Sequence, residues 1–192
     1  MDKKSNLILF LVIVLATFSR LFITIPNFSA IGSLALFCGA IVGRKKFSFL
    51  IPFAALLVGD LMMAGTGKLY SDYFFQGYFL WVYFAFFITW LIGKAIKDRF
   101  NFKNLLLASL LSSVSFFLIS NFGSWLQLGF YPKNLAGLIE AYIAGISFYK
   151  NDLLSNFFLN QLAGDLFFNS VFYLAFFVAF KRLEASVSAQ RV

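Results

Sequence analysis

Histidine is absent from this 192-residue chain, cysteine occurs once, and charged residues make up only 12% of it. Without histidine there is no imidazole general acid or base, no Ser-His-Asp triad, no HExxH zinc site and no imidazole metal ligand. The single Cys38 has no partner for an internal disulfide and reads as a small buried apolar residue. A GxxxxGK(S/T) phosphate loop is also missing, so the chain does not hydrolyse ATP by that device. Soluble domains run about a quarter charged and about half apolar. Here 61% of residues are hydrophobic, 29 are phenylalanine, and the mean hydropathy is +0.85. Soluble, disordered, collagen-like and disulfide-framework classes are thereby excluded. An integral membrane protein remains, with residues 1–192 forming one transmembrane domain.

Six long apolar segments follow, at about Asn6–Ile25, Phe28–Gly43, Phe47–Ala64, Gly77–Gly93, Leu105–Leu126 and Leu153–Phe180. A crossing helix needs roughly 20 residues. The second segment is slightly short and the sixth is long, so its first turn is expected to project or the helix to tilt. None of the runs alternates as a membrane barrel strand would. The expected fold class is therefore all-α, with six transmembrane helices. The start, MDKKSNLILFLVIVLA, has signal-like features, but Arg20 and five further segments make it an uncleaved first helix.

Charge sets the expected orientation. Lys3, Lys4, Arg44, Lys45, Lys46, Lys94, Lys97, Arg99, Lys103, Lys181, Arg182 and Arg191 occupy alternate connections and both ends, twelve of the sixteen basic residues. The other side carries Lys68, Lys133 and Lys150. The positive-inside rule makes the first set and both termini cytoplasmic. That rule accounts for the basic balance, so no nucleic-acid partner is expected.

Ionisable residues inside spans are costly and mark either packing or a site. Arg20 and Asp60 fall near the outer ends of the first and third segments, and Asp165 lies nearer the middle of the sixth. An Arg20–Asp60 ion pair would fix packing; a charge left over would serve a ligand. Gln161, Asp165 and Asn169 share one helix face at i, i+4 and i+8, flanked by Phe168 and Phe172. Either a pocket for a partly apolar solute or interhelical hydrogen bonding would explain that stripe. In the fifth segment Ser109, Ser113, Ser120 and Ser124 form a small-residue face, and Asn121 and Trp125 lie at its outer end.

Between the fifth and sixth segments, Leu135–Phe148 predicts a short outer helix capped by Asn134 and carrying Tyr142, with Tyr131 just before it. It is either a lid over a site or an interfacial helix. Gly39 and Gly43 in the second segment make a GxxxG pair, serving packing within the bundle or docking to another subunit. Pro26 breaks the chain between the first two segments, so Asn27 is expected to cap the second or to reach a ligand.

Several ordered strings carry a resemblance. Pro26-Asn27-Phe28-Ser29-Ala30-Ile31-Gly32 leading to Ala35-Leu36-Phe37 resembles a PNFxPIGAxALF stretch of a family of uncharacterised bacterial membrane proteins. Leu57-Val58-Gly59-Asp60, Ser120–Trp125, Tyr131-Pro132, Leu135-Ala136-Gly137-Leu138, Phe148-Tyr149-Lys150-Asn151 and Gly164-Asp165-Leu166 match its later blocks, covering roughly Arg20 to Tyr173. That family is regarded as transport proteins and is similar to the S components of energy-coupling-factor vitamin transporters. The resemblance implies an S-component-like bundle in a bacterial inner membrane. It further implies a vitamin or similar micronutrient bound at an outward-facing site, with a transmembrane coupling subunit and ATPases as partners. One departure is that the AxxxA docking pattern of S components is absent from Leu7–Ile13. Either the small-residue face of the second segment substitutes, or the protein works alone.

The expected solute site is thus Arg20, Asn27, Asp60, Asn121, Trp125, Tyr131, Tyr142, Gln161, Asp165 and Asn169, with no metal, no cofactor and no catalysis. An acid-pair enzyme would need Asp60 and Asp165 within a few ångströms, sharing one proton. The alternative to transport is a membrane subunit whose polar residues only fix helix packing.

Overall fold

The computed structural model describes residues 3–22, 25–67, 74, 77–146 and 156–189, with side chains described outside 3–9, 21 and 178–189. The Phe148–Asn151 block, Lys68, Lys150 and Arg191 lie outside the described residues. Seven α-helices and no strand occur among those residues: α1 Lys3–Phe22, α2 Ile31–Val42, α3 Leu50–Gly65, α4 Tyr78–Ala95, α5 Phe102–Gln127, α6 Leu135–Ile146 and α7 Phe157–Ala189. The order matches six apolar segments plus a short helix between the last two.

Two of the helices are long and apolar enough to cross a membrane: α4, with 18 residues, and α5, with 26. At 1.5 Å per residue they measure about 27 and 39 Å, against a hydrocarbon core of about 30 Å. α2 departs from expectation. It has 12 residues instead of the sixteen anticipated over 28–43, so it is only about 18 Å long. All of its residues but Ile41 are buried, because α1, α3, α4, α5 and α7 surround it. An apolar run reads the same whether it faces lipid or the inside of a bundle, so the sequence alone does not separate these cases.

The residues before α2 also differ from expectation. Asn27 does not cap the helix: it lies four residues upstream in the left-handed region, at φ 59°. Asn is among the few non-glycine residues that adopt this conformation readily. Its Nδ2 donates to Phe157 O at 3.5 Å, and the N-cap position of α2 is Ala30, with no side-chain cap. Asn134 behaves as expected, its Oδ1 accepting from Gly137 N at 2.9 Å. Asn101 Oδ1 accepts from Asn104 N at 2.9 Å, capping α5 and starting it three residues before Leu105.

The glycines of α2 serve the bundle itself. A Cβ on Gly39 would fall onto Trp90 O and Lys94 N, and one on Gly93 onto Leu36 O. Gly39 and Gly93 therefore bring the backbones of α2 and α4 into contact. Around this seam the core packs Leu34, Phe37, Leu56, Phe86, Trp90 and Phe172. Outward faces are apolar as well. On α5 the stripe Leu107, Leu110, Leu111, Val114 and Leu118 is exposed, and α1, α3, α4 and α7 expose similar large apolar side chains.

One end of the bundle gathers the ends of α1 and α3 with the starts of α2, α4 and α7. Ser19 Oγ accepts from Ala30 N there, and the contacts among Arg20, Asp60 and Tyr83 described below lie at the same end. At the opposite end Arg44 donates to Asp98 at 2.8 Å, joining the connections that carry Lys45, Lys46 and Arg99. That bond holds the Asp98 carboxyl below the usual carboxylate range.

Candidate functional site

Nine of the ten residues proposed from sequence separate into three groups, and Asn27 stands apart, donating to Phe157 O. The first joins α1, α3 and α4. Arg20 Nη2 pairs with Asp60 Oδ1, and Tyr83 Oη donates to Asp60 Oδ2 at 3.2 Å. Asp60 is fully buried, while the Arg20 side chain is 16% exposed. Gly59 makes room for the pair, since a Cβ there would meet Arg20 Cδ. The ion pair is thus formed and ties three helices together, with Arg20 Nε left without an acceptor among the described residues.

The second group ties α6 to α5. Trp125 Nε1 donates to Pro132 O at 2.9 Å, and Tyr142 Oη donates to Leu118 O at 3.0 Å. Lys133 Nζ donates to Trp125 O and Leu126 O, two of the last α5 carbonyls, and lies over the Trp125 ring. Asn121 donates to Phe117 O at 2.9 Å, and its amide fills the space that a side chain on Gly145 would need. Burial pushes the Tyr142 hydroxyl above its ordinary range. Tyr131 lies beside Phe130 in the connection before α6. So α6 lies along α5 and α7, with Gly145 allowing its close approach to α5. Tyr142→Phe is expected to loosen α6 by about 1 kcal/mol, the usual net value of one hydrogen bond. Faster amide exchange over Leu135–Ile146, with α4 unaffected, is the check.

The third group is the polar face of α7, and it is the candidate site. Gln161, Asp165 and Asn169 are all buried and face α2 and α5. Asp165 Oδ2 accepts from Ser113 Oγ and from Gln161 Nε2, both at 2.8 Å. Ser33 Oγ donates to Asp165 O at 3.2 Å, and Asn169 Nδ2 donates to Ser109 Oγ at 3.0 Å. Asp165 Oδ1 and Asn169 Oδ1 have no donor among the described residues. Phe28 covers the outer side, against Phe167 and Phe168 at ring distances of 6.0 and 5.5 Å. The backbone of Phe28 lies on Gly164.

Gly32, the second residue of α2, closes against the carboxyl: a Cβ there would meet Asp165 Oδ1 and approach Gln161 Nε2. Gly32→Ala is expected to cost about 1–3 kcal/mol, the range for added core volume, by turning Asp165 away from Ser113. A lowered melting midpoint would be the readout, and Gly65→Ala, where nothing lies within 4 Å, is the control.

Sequence reasoning missed Ser33, Ser113, Tyr83 and Asn156. Asn156 caps α7, accepting from Leu159 N at 2.8 Å, and donates to Ile146 O. A capping rule applied to Asn156-Phe157 would have found it. Nothing in the sequence distinguishes Ser113 from the other serines of α5. No group of three or more His, Cys, Asp or Glu side chains converges among the described residues. Asp60 and Asp165 bond to different partners in different helix groups.

The class these features define is an all-helical bundle, two of whose helices could cross a membrane, with a buried polar face on its last helix. The chain belongs to a family of unknown function, DUF6580, whose model matches residues 1–187. No curated protein matches it, and no solved structure matches it.

Proposed function

We propose that this chain is a multi-pass membrane transport protein that binds a small solute between α2, α5 and α7. Six helices embed in a bacterial inner membrane, with both termini and the Arg44–Asp98 end cytoplasmic and α6 on the outer side. Apolar stripes on the outward faces of α1, α3, α4, α5 and α7 support that placement, because lipid contact removes their cost of exposure to water. The observation that carries solute binding is the α7 face, where Asp165 and Asn169 keep bonding capacity inside the bundle. Intramembrane ionisable groups are retained at a cost of a few kcal/mol and mark sites. Phe28, Phe168 and Phe172 beside them suit a partly apolar organic molecule, such as a vitamin or similar micronutrient. Arg20 and Asp60 drop out of the binding set because they neutralise each other. Coupling to a transmembrane subunit and ATPases, as in S components, would use a surface other than the Gly39 seam, which α4 occupies. The reading assigns no catalysis.

Mass spectrometry of solute released from the purified, denatured protein tests this. One organic compound is expected at near-equal molar amount from the native chain, and far less from folded Asp165→Asn. Absence of any such compound from the folded native chain would count against solute binding. A second reading has its own support, since Arg20, Asp60, Tyr83, Trp125 and Tyr142 are all engaged in helix packing. In that case the chain is a non-transporting subunit, and a stable protein partner is recovered in mild detergent with no solute.

A further inference from the structure

We propose that Asp165 Oδ1 and Asn169 Oδ1 form a binding site for a monovalent cation at the junction of α7 with α2 and α5. Asp165 is 2% exposed and Asn169 1%, and each has one oxygen without a donor. The donors bonded around the site serve other atoms. Ser113 Oγ and Gln161 Nε2 serve Asp165 Oδ2, Ser33 Oγ serves Asp165 O, and Asn169 Nδ2 serves Ser109 Oγ. What is left on these two oxygens is acceptor capacity, with one formal negative charge at Asp165.

Positive charge on the surrounding elements lies far along the helix axes or is already paired. α2 contains no charged residue. The basic residue of α5 is Lys103, ten positions before Ser113 and about 15 Å away along the axis. α7 has none until Lys181, sixteen positions after Asp165 and about 24 Å along the axis. On α1, Arg20 is paired with Asp60. The one charged residue of α6, Glu140, is acidic and exposed. A buried carboxylate without a counter-charge is costly, and a cation seated on it removes the cost.

Spacing and ligand type point the same way. Residues four apart on a helix face hold their Cβ atoms about 5–6 Å apart, so one ion can reach both oxygens. Hard carboxylate and amide oxygens favour alkali or ammonium cations over soft transition metals. A single carboxylate matches a single positive charge. That charge comes either from an inorganic ion or from the ammonium group of the solute. The inorganic case places an ion on the same two oxygens that the solute reading uses, and the ammonium case rests on that reading.

The experiment is thermal unfolding of the purified full chain at fixed pH and ionic strength. Choline chloride is compared with sodium chloride and with methylammonium chloride. Sodium or methylammonium is expected to raise the midpoint by about 5 °C over choline at saturation. The rise should vanish in Asp165→Asn. In Asn169→Ala the half-saturating concentration should rise about tenfold, the loss of one charge-assisted contact. If Asp165→Asn does not fold, the Asn169→Ala shift alone decides. A response to sodium identifies an inorganic ion, and a response to methylammonium alone identifies an amine. No rise with either cation, or a rise unchanged in the variants, overturns the proposal. That result leaves solute binding standing, since mass spectrometry judges it separately.

Discussion

Replacing Arg20 by alanine is expected to be the most damaging single change, costing about 3–5 kcal/mol, the range for breaking a buried ion pair from one side. Asp60 is fully buried, so losing the guanidinium takes its paired positive charge away inside the bundle. The ends of α1 and α3 and the start of α4 then lose their shared anchor. The double variant Arg20→Met with Asp60→Asn should recover most of the loss, because removing both charges removes the desolvation cost together with the attraction. Unfolding by denaturing detergent, followed through tryptophan fluorescence, measures both. Single and double variants of equal stability would show that the pair is not the anchor.

Gly93→Ala is expected to cost about 3 kcal/mol, the upper end for overpacking. The added methyl would fall on Leu36 O, with the Leu36 carbonyl carbon 2.9 Å away, and no rotamer change moves a backbone. The seam between α2 and α4 would have to open. Since α2 is enclosed by five helices, that opening is felt through the whole core. Yield of monodisperse protein and the melting midpoint are the readouts. A variant as stable as the native chain would mean that the two backbones are not in contact. Neither Arg20 nor Gly93 bonds to Asp165 or Asn169, so the folded fraction of either variant is expected to retain the same solute.

Much of the candidate site was readable before any tertiary contact was known. Gln161, Asp165 and Asn169 occupy one face by spacing alone, and all three are buried there. The pairing of Arg20 with Asp60 was one of two outcomes open at the sequence level. Opposite charges in a nearly charge-free interior have few other partners, so the reason it formed is simple. Trp125, Tyr142 and Asn121 are expected solute ligands from the sequence, whereas each bonds a backbone carbonyl in the structure. The difference rests on which carbonyls lie opposite them, and that depends on how α6 lies against α5.

The sequence by itself determined an all-helical chain, the order of its seven helices, the Asn134 cap and the polar stripe of α7. These follow from local rules, namely apolar run length, side-chain periodicity and capping, which need no distant partner. Tertiary structure alone decided that α2 is an enclosed hub, that Gly39 and Gly93 join α2 to α4, and that Ser113 and Ser33 bond to Asp165. It also decided that two acceptor oxygens on α7 are left without donors. Serine and glycine carry almost no signal along the chain, and their meaning is set by what approaches them across the bundle.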